Sequence, residues 1–424
     1  MERRESIWHR LSEGIQDMCY IWKKEMVSII HDEGVFIFCV IVPLFYPLLY
    51  SWCYNNEVVE EVPVAVVDMS HSEESREFIR KYDASSHVRV AQHCNNLQDA
   101  QHLVGSQQVR GVLYFPPDFG TNLNRLEQSH VSVYCDMSLM LAYSAIYSTA
   151  TAVSMEINKS IQVKLSGKYT AYEEEVSGQP LGYTEVPIFN PVGGYGHAVI
   201  PAVLILIIQQ TLLLGIGMSA GTARENNRYR DLVPVSKHYN GIFRIVLGKG
   251  LCYFMIYAVL GAYLTMVVPR IFNFVNFSDR LALLGLLTPY ILACIFFGMT
   301  MSCFIRYREN VILIVVFTSI PLMFMSGVSW PEASIPGFWK SVAYLFPSTF
   351  GVRGFVRINS MGANLADIRH EYQMLWVQVV VYFFTTCIVY RYQILHARHH
   401  AIERMQRLRE KARQAHEAKE GVAS

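Results

Sequence analysis

The sequence predicts an α-helical membrane protein with six transmembrane helices and an α/β extracytoplasmic domain inserted between helices 1 and 2. Hydrophobic residues make up 52% of the 424 residues and charged residues only 17%, below the roughly 25% usual in soluble domains. Six apolar runs alternate with charged segments, and one polar stretch, residues 55–196, follows the first run. The 36 Lys and Arg nearly balance the 35 Asp and Glu, so no net field favours nucleic acid as a partner.

Each apolar run is close to the roughly 20 residues that a bilayer core requires. The first predicts transmembrane helix 1 at residues 34–54, kinked at Pro43 and Pro47, and the other five predict helices 2–6 within residues 197–396. The runs are Gly34–Trp52, Val199–Ala220, Ile242–Val268, Leu281–Ile305, Val311–Val328 and Tyr372–Leu395.

The distribution of Lys and Arg predicts the orientation. An even number of crossings puts both termini on one side of the membrane, and the segments on that side carry most of the basic residues. They include a loop at residues 221–241 and a basic tail at residues 397–424. Because cytoplasmic loops are enriched in Lys and Arg, both termini are predicted to be cytoplasmic.

The spacing of apolar residues in 1–33 predicts an amphipathic helix that lies in the cytoplasmic headgroup region, in contact with the lipid bilayer. A helix packed on a soluble partner is the alternative, because periodicity does not separate the two. The apolar positions recur at spacings of one, three and four: Ile7, Trp8, Leu11, Ile15, Met18, Trp22, Met26 and Ile29.

The polar insert alternates strand and helix patterns, which indicates a small α/β sheet. The predicted strands are Val62–Asp68, His87–Gln92, Val109–Phe115 and His130–Asp136. Ser70 is a candidate cap of the first helix, and a long helix is predicted from Ser138 to about Lys168. Cys94 and Cys135 both lie in this domain, so a disulfide between them is one alternative and two buried free thiols the other.

The chain lacks the groups that would power transport. Neither Gly-Lys pair, at Lys168 or Lys249, belongs to a phosphate-binding P-loop. None of the six runs contains Asp, Glu or His, the groups that bind coupling ions in carriers, and Gln209 and Gln210 are predicted to hydrogen-bond between helices. The energy for any transport must therefore come from another subunit.

Three further segments carry candidate functions. The spacing of His396, His399 and His400 allows a metal pair on one helix face, against the alternative of a solvated basic helix near anionic lipid. The 221–241 loop is either an ordinary cytoplasmic loop rich in basic residues or a docking site for a soluble subunit. Residues 329–360 are too apolar for a free loop, and their Pro and Gly residues favour two short segments that dip into the outer leaflet, with plain packing at the membrane interface as the alternative.

Five motifs together resemble the membrane subunit of a type-two ABC export permease over nearly all of residues 15–395. They are VPVAVVDMSHSEESREFI, GVLYFPPDFGTNL, FNPVGGYGHAVIPAVL, ARENNRYRDLVPVS with GKGLCYF, and SGVSWPEASIPGFWKSVAYLFPSTFGVRGF. The resemblance implies that the loop after helix 2 is a coupling helix that docks on an ATPase. Its expected contact residues are Arg224, Glu225, Asn226, Asn227, Arg228, Arg230 and Asp231.

The resemblance also implies an outer gate formed by the re-entrant segments. The expected gate residues are Trp330, Pro331, Pro336, Trp339 and Pro347. The family usually has an acidic residue followed by Gly-Thr in the coupling loop, whereas this chain has Asn226 to Tyr229, which indicates a subfamily with its own ATPase.

The function implied is ATP-driven export of a hydrophobic or amphipathic substrate across or out of a bacterial inner membrane. The expected partners are an ABC ATPase subunit, a second permease copy or paralogue, and in some systems a periplasmic adaptor. The resemblance implies no cofactor on this chain and no catalytic residue, with ATP and Mg²⁺ on the ATPase. The alternative is a receptor or scaffold that binds an envelope partner without translocation, and an intramembrane enzyme would need polar catalytic groups that the six runs lack.

Overall fold

The computed structural model of the chain consists of two compact units. The helical unit comprises Met1–Asn55 and Tyr195–Ser424, and the α/β unit comprises Asn56–Gly194, close to the predicted insert at 55–196. The structure describes residues 7–54, 59–125, 127–166, 188–189, 194–225, 241–274 and 276–423.

The chain begins with helix α1, Ile7–His31, which is followed by span 1, Glu33–Cys53. A wide π-helical turn at Ile37–Ile41 interrupts span 1 just before Pro43. Proline has no N–H to donate to the regular ladder, so the neighbouring turn takes a different hydrogen-bond spacing. The predicted irregularity at Pro43 is therefore a π turn, whereas Pro47 lies inside the continuing helix.

The α/β unit is built on a four-stranded sheet with the order β2-β1-β3-β4. Strand β1 runs parallel to both β2 and β3, and β4 is antiparallel to β3. The strands are β1 Val62–Asp68, β2 Val88–Cys94, β3 Gly111–Phe115 and β4 Ser132–Cys135, and the helices are α2 Glu73–Asp83, α3 Leu97–Gly105, α4 Phe119–Asn124 and α5 Met140–Ser166.

Helices cover both faces of this sheet, which explains why β1 is apolar on both sides. Val64 and Val66 pack with Phe78 of α2 on one face, while Ala65 and Val67 pack with α3 on the other. The predicted cap of α2 is wrong by two residues. Ser72 caps the helix by accepting a hydrogen bond from the Ser75 amide at 3.1 Å, and the Ser70 hydroxyl accepts one from the Gly120 amide instead.

Six helices in the described part of the chain are long and apolar enough to cross a membrane, as the sequence predicts. Their bounds lie within a few residues of the predicted runs, because runs of apolar residues locate a span without any knowledge of its neighbours. Besides span 1 they are span 2 Gly196–Glu225, span 3 Ile242–Ile271, span 4 Arg280–Met301, span 5 Arg308–Met325 and span 6 Arg369–Leu395.

Span 2 is the buried centre of the helical unit. The most apolar window of span 2 is 94% buried, compared with 17% for span 5 and 22% for span 6. Gly221 allows span 2 to approach the start of span 5, since a Cβ there would lie 2.8 Å from the Cα of Arg308. The remaining spans therefore pack around span 2, and their outer faces are left for lipid or another subunit.

Two short helices lie between spans 5 and 6, where the sequence predicts re-entrant segments. Helix α6, Gly337–Ala343, is followed by helix α7, Pro347–Met361. Phe350, Phe355 and Ile358 of α7 are fully buried, so α7 is part of the core. The helix of span 6 continues without a break to Ala423, so the predicted basic tail is a continuation of span 6.

Cys94 and Cys135 lie on the two outer strands of the sheet, β2 and β4, and both are free. Three strand spacings separate these strands, about 14 Å, whereas a disulfide needs Cα atoms within about 7 Å. Burial raises the pKa of both thiols, which reduces the reactive thiolate at neutral pH. The disulfide alternative is thus excluded by the strand order.

We expect both thiols to be alkylated when the protein is unfolded without reductant, because neither is bonded to the other. In the folded protein at pH 7, alkylation should be slower than that of an unstructured cysteine peptide. Peptide mapping by mass spectrometry, with a reduced sample as the control, measures both. A peptide linking Cys94 to Cys135 would contradict the strand order.

Candidate functional site

Three acidic residues near the start of the chain form ion pairs with basic residues of spans 3 and 5. Their partners are separated from them by more than 200 residues in sequence. These ion pairs define one end of the helical unit, which is called the α1 end. The pairs are Asp17 with Arg244 at 2.5 Å, Glu25 with Lys249 at 2.9 Å and Asp32 with Arg308 at 2.7 Å.

Glu25 is the most deeply placed of the three acids, with 7% of its surface exposed. Its carboxylate accepts hydrogen bonds from Lys249 of span 3 at 3.1 Å and from the Tyr253 hydroxyl at 3.1 Å. The Ser219 hydroxyl of span 2 donates a third, at 3.4 Å. A buried carboxylate requires such partners, because an uncompensated charge away from water is strongly unfavourable.

Helix α1 packs part of its predicted apolar face on the helical unit, since Ile29 is buried and Trp22 and Met26 contact the core, and its contact with the headgroup region stays a prediction. Ile21, Glu25 and Ile29 are buried against the rest of the unit, whereas the predicted face residue Ile15 is 60% exposed. The Cα of Gly248 in span 3 lies close to Ile21. The apolar pattern did not include Glu25, because an acid with buried partners looks like a solvent-facing acid in the sequence.

Arg224 and Glu225 end span 2 and bind the turn that joins spans 4 and 5. The Arg224 guanidinium donates to the Cys303 carbonyl at 3.2 Å and to the Ile305 carbonyl. The Glu225 carboxylate accepts from the Arg308 amide at 2.9 Å. Arg224 is buried, and with Glu225 it forms a clamp, the span 2 clamp, between span 2 and the turn.

The same cluster includes the start of span 1. The Thr222 hydroxyl donates to Asp32 at 2.8 Å, and Asp32 also pairs with Arg308. Spans 1, 2 and 5 are therefore linked at the α1 end. The other predicted coupling residues lie outside the described residues, so the contact with an ATPase stays a prediction for them and for the clamp: Asn226, Asn227, Arg228, Arg230 and Asp231.

The predicted gate residues lie between span 5 and α7. Pro331 and Pro336 precede helical turns and Pro347 starts α7, which suits a residue with fixed φ and no N–H. Trp330 and Trp339 are about half exposed and line a cavity of about 220 Å³ with Pro336 and Phe324 among its walls. The cavity brings three of the five predicted residues together, Trp330, Pro336 and Trp339, and their role as a gate stays a prediction.

An ion-pair network that the sequence analysis missed ties these segments to α7. Glu332 pairs with Lys340 of α6 at 2.8 Å and with Arg353 of α7 at 2.9 Å. Arg353 also donates to the Ser326 carbonyl at the end of span 5. The hydrogen bond from Lys340, with the Arg353 charge, lowers the pKa of the Glu332 carboxyl against the effect of its partial burial.

Gln209 and Gln210 of span 2 have different environments. The side-chain oxygen of Gln209 accepts a hydrogen bond from the backbone amide of Ser348 in α7 at 2.6 Å. This is the hydrogen bond between helices that the sequence predicts for Gln209. Gln210 has no hydrogen-bond partner for either amide atom within the described part of the chain. It lines a groove of about 540 Å³ between spans 1, 2 and 5.

The described residues contain no group of three or more His, Cys, Asp or Glu side chains placed to hold a metal ion. His399 forms an ion-pair contact with Glu403 at 3.1 Å, one turn further along the helix. The side chains of His396 and His400 lie outside the described residues, so the metal pair stays untested.

Glu25→Gln should destabilise the helical unit by about 3–5 kcal/mol, because it leaves the Lys249 charge buried without its counter-ion. Lys249→Met should cause a similar loss of stability, because it leaves the Glu25 charge buried without its counter-ion. The double variant Glu25→Leu with Lys249→Met should recover most of the loss. Thermal unfolding of the purified chain measures all three.

The exposed pair Arg89 and Glu61 is the matched control for this experiment. Its removal should cost at most about 1 kcal/mol. Equal losses for the exposed pair and the buried pair would show that Glu25 and Lys249 do not depend on each other.

The Glu332 network should weaken at acid pH. The folded-state pKa of Glu332 is lowered, so its contribution is present above the ordinary carboxyl pKa of 4.5 and is lost as pH falls through the lowered value. Hydrogen exchange of residues 329–343 should accelerate about fivefold in Glu332→Gln at pH 7, since a partly exposed pair is worth about 1 kcal/mol. Unchanged exchange in the variant would rule out the network as a restraint.

Comparison with known proteins assigns the chain to a family. The sequence model of the family described as ABC-2 family transporter protein matches residues 34–388, which includes every span from Gly34 onward except the last residues of span 6. No curated protein matches the sequence. The matched range covers most of the chain and six candidate spans. The chain thus belongs to the ABC-2 transporter family and is a multi-pass membrane protein, the permease subunit of a type-two ABC transporter.

Proposed function

We propose that this chain is the permease subunit of an exporter that a separate ATPase subunit powers. The family implies an ATPase partner and a dimeric assembly, and the sequence has no P-loop of its own. The partner ATPase binds ATP and Mg²⁺. The second membrane subunit is another copy or a paralogue.

The span 2 clamp is the observation that carries this proposal. It connects Arg224 and Glu225, which belong to the predicted coupling loop at 221–241, to the turn between spans 4 and 5. A push on that loop therefore moves spans 2, 4 and 5 together, whereas a loop joined only through span 2 would bend locally. Coupling of this kind needs two sites joined by a packed element that both can displace.

The membrane orientation follows from the charge distribution. The α1 end carries Arg224, Arg244, Lys249 and Arg308, which supports its facing the cytoplasm of a bacterial cell, with both termini on that side of the inner membrane. The α/β unit then lies outside the cytoplasm, where a periplasmic adaptor could reach it. Residues 329–347 lie at the outer side, where a gate would open for an apolar or amphipathic cargo.

Co-reconstitution in vesicles with an ABC ATPase that co-purifies with this chain should give ATP-driven export of an amphipathic dye. Arg224→Ala should reduce export about tenfold, because the turn at Cys303 and Ile305 loses its connection to span 2. ATPase binding should fall less than export, since Arg224 is buried and the other six expected contact residues are unchanged. Arg306→Ala, on the same turn but with an exposed side chain, is the matched control and should export normally.

A comparison of unfolding temperatures separates uncoupling from misfolding in Arg224→Ala, and Arg224→Lys should be intermediate because it retains the charge without the planar fork. ATP hydrolysis or ATP-driven export by this chain alone would overturn the proposed function. So would normal export by a correctly folded Arg224→Ala variant.

A further inference from the structure

The groove between spans 1, 2 and 5 is mostly apolar, and its lining contains no charged residue. Aliphatic and aromatic side chains from all three spans form its walls, and the polar exceptions are Tyr46, Tyr50, Gln210, Thr211, Ser319 and Ser329. A volume of about 540 Å³ lies within the range of small-molecule sites, which are mostly apolar with a few placed polar groups.

Gln210 is the unusual member of this lining. Its side chain is 92% buried, since 8% of its surface is exposed, yet neither its amide nitrogen nor its oxygen has a partner in the described residues. A buried amide without partners is unfavourable in an apolar environment. Neighbouring Gln209 is satisfied at one atom: its amide oxygen accepts a hydrogen bond from the Ser348 amide, while its amide nitrogen has no partner in the described residues.

The other polar side chains at this depth are already committed as donors. The Thr211 hydroxyl donates to the Ile207 carbonyl at 2.7 Å, and the Ser319 hydroxyl donates to the Val316 carbonyl at 2.9 Å. Both bonds stay within one helix. The Gln210 side chain is therefore a buried group in the groove that can both donate and accept a hydrogen bond. A hydroxyl or amide group of a ligand requires such a partner.

We infer that the groove binds the transported molecule and that Gln210 recognises an uncharged hydrogen-bonding group on it. This inference rests on the proposed function, because it assigns the cargo of that exporter. The cargo class is an amphipathic molecule with an apolar body and a hydroxyl or amide group inside the groove. A charged group is disfavoured there, because the lining holds no ion to pair with it.

The groove also leads toward the predicted gate. Phe324 of span 5 is in the wall of the groove and in the wall of the smaller cavity beside Trp330 and Trp339. Ser329, which follows span 5, also lines the groove. The groove therefore shares wall residues with the segment between spans 5 and 6 that holds the predicted gate.

Photolabelling of the full chain in phosphatidylcholine nanodiscs tests the inference without ATPase or nucleotide. Three probes carry a diazirine on the same twelve-carbon chain and end as an alcohol, an alkane or a sulfate. Peptide mapping should find about fivefold more label from the alcohol than from the other two on the groove walls, the value of one neutral hydrogen bond.

Gln210→Leu should remove this preference and lower alcohol labelling about fivefold, while alkane labelling stays constant. Gln210→Asn retains an amide and should keep part of the preference. Thr211→Val is the matched control and should keep all of it, because its hydroxyl proton is bound within span 2. Gln210→Leu should unfold at an equal or higher temperature, since it removes an unsatisfied polar group.

Equal labelling by alcohol and alkane in the unaltered protein would overturn the inference, because the groove would then be a lipid-facing surface. Cross-links from the groove to a second copy of the chain would also overturn it, since the groove would be a subunit contact. An intact preference with no ATP-driven export in vesicles would refute the proposed function alone. Export of another cargo with no preference at Gln210 would refute this inference alone.

Discussion

The helical unit depends on one constraint, the burial of span 2 on all sides. A helix so enclosed cannot satisfy polar side chains with water, so most of them bond to another element, with Gln210 as the exception and Thr211 bonded within the helix. Gln209 meets α7, Ser219 meets Glu25, Thr222 meets Asp32, and Arg224 meets the turn after span 4. The polar residues of span 2 thereby connect it to most of its neighbours, from the α1 end to α7.

The α1 end adds a second layer to this arrangement. The buried Glu25 and Lys249 contribute little net stability, because the cost of removing both charges from water offsets most of their attraction. They fix the relative position of three helices instead. Glu25 of α1 keeps its hydrogen-bond donors only when span 2 and span 3 lie in this position. Such a fixed position favours the transmission of motion through the helical unit, because a loosely packed α1 would move without moving spans 2 and 3.

The α/β unit satisfies its polar groups locally. Asp68 at the carboxyl end of β1 accepts hydrogen bonds from the Ser70 and His71 amides and from the Ser75 hydroxyl. Parallel strands end together at this edge, which is where α/β sheets usually bind ligands. Here the carboxylate stabilises the loop before α2, so we assign this edge a structural role.

The sequence by itself determined the six spans, the α/β insert and the two glutamines at depth, because hydropathy, strand periodicity and the rarity of polar residues in apolar runs are local properties. The tertiary structure alone decided which face of α1 is buried and which glutamine is free. Glu25 and Lys249 are 224 positions apart, and Gln209 and Ser348 are 139 apart. No local pattern encodes such pairings, since they arise only when packing removes water from both partners.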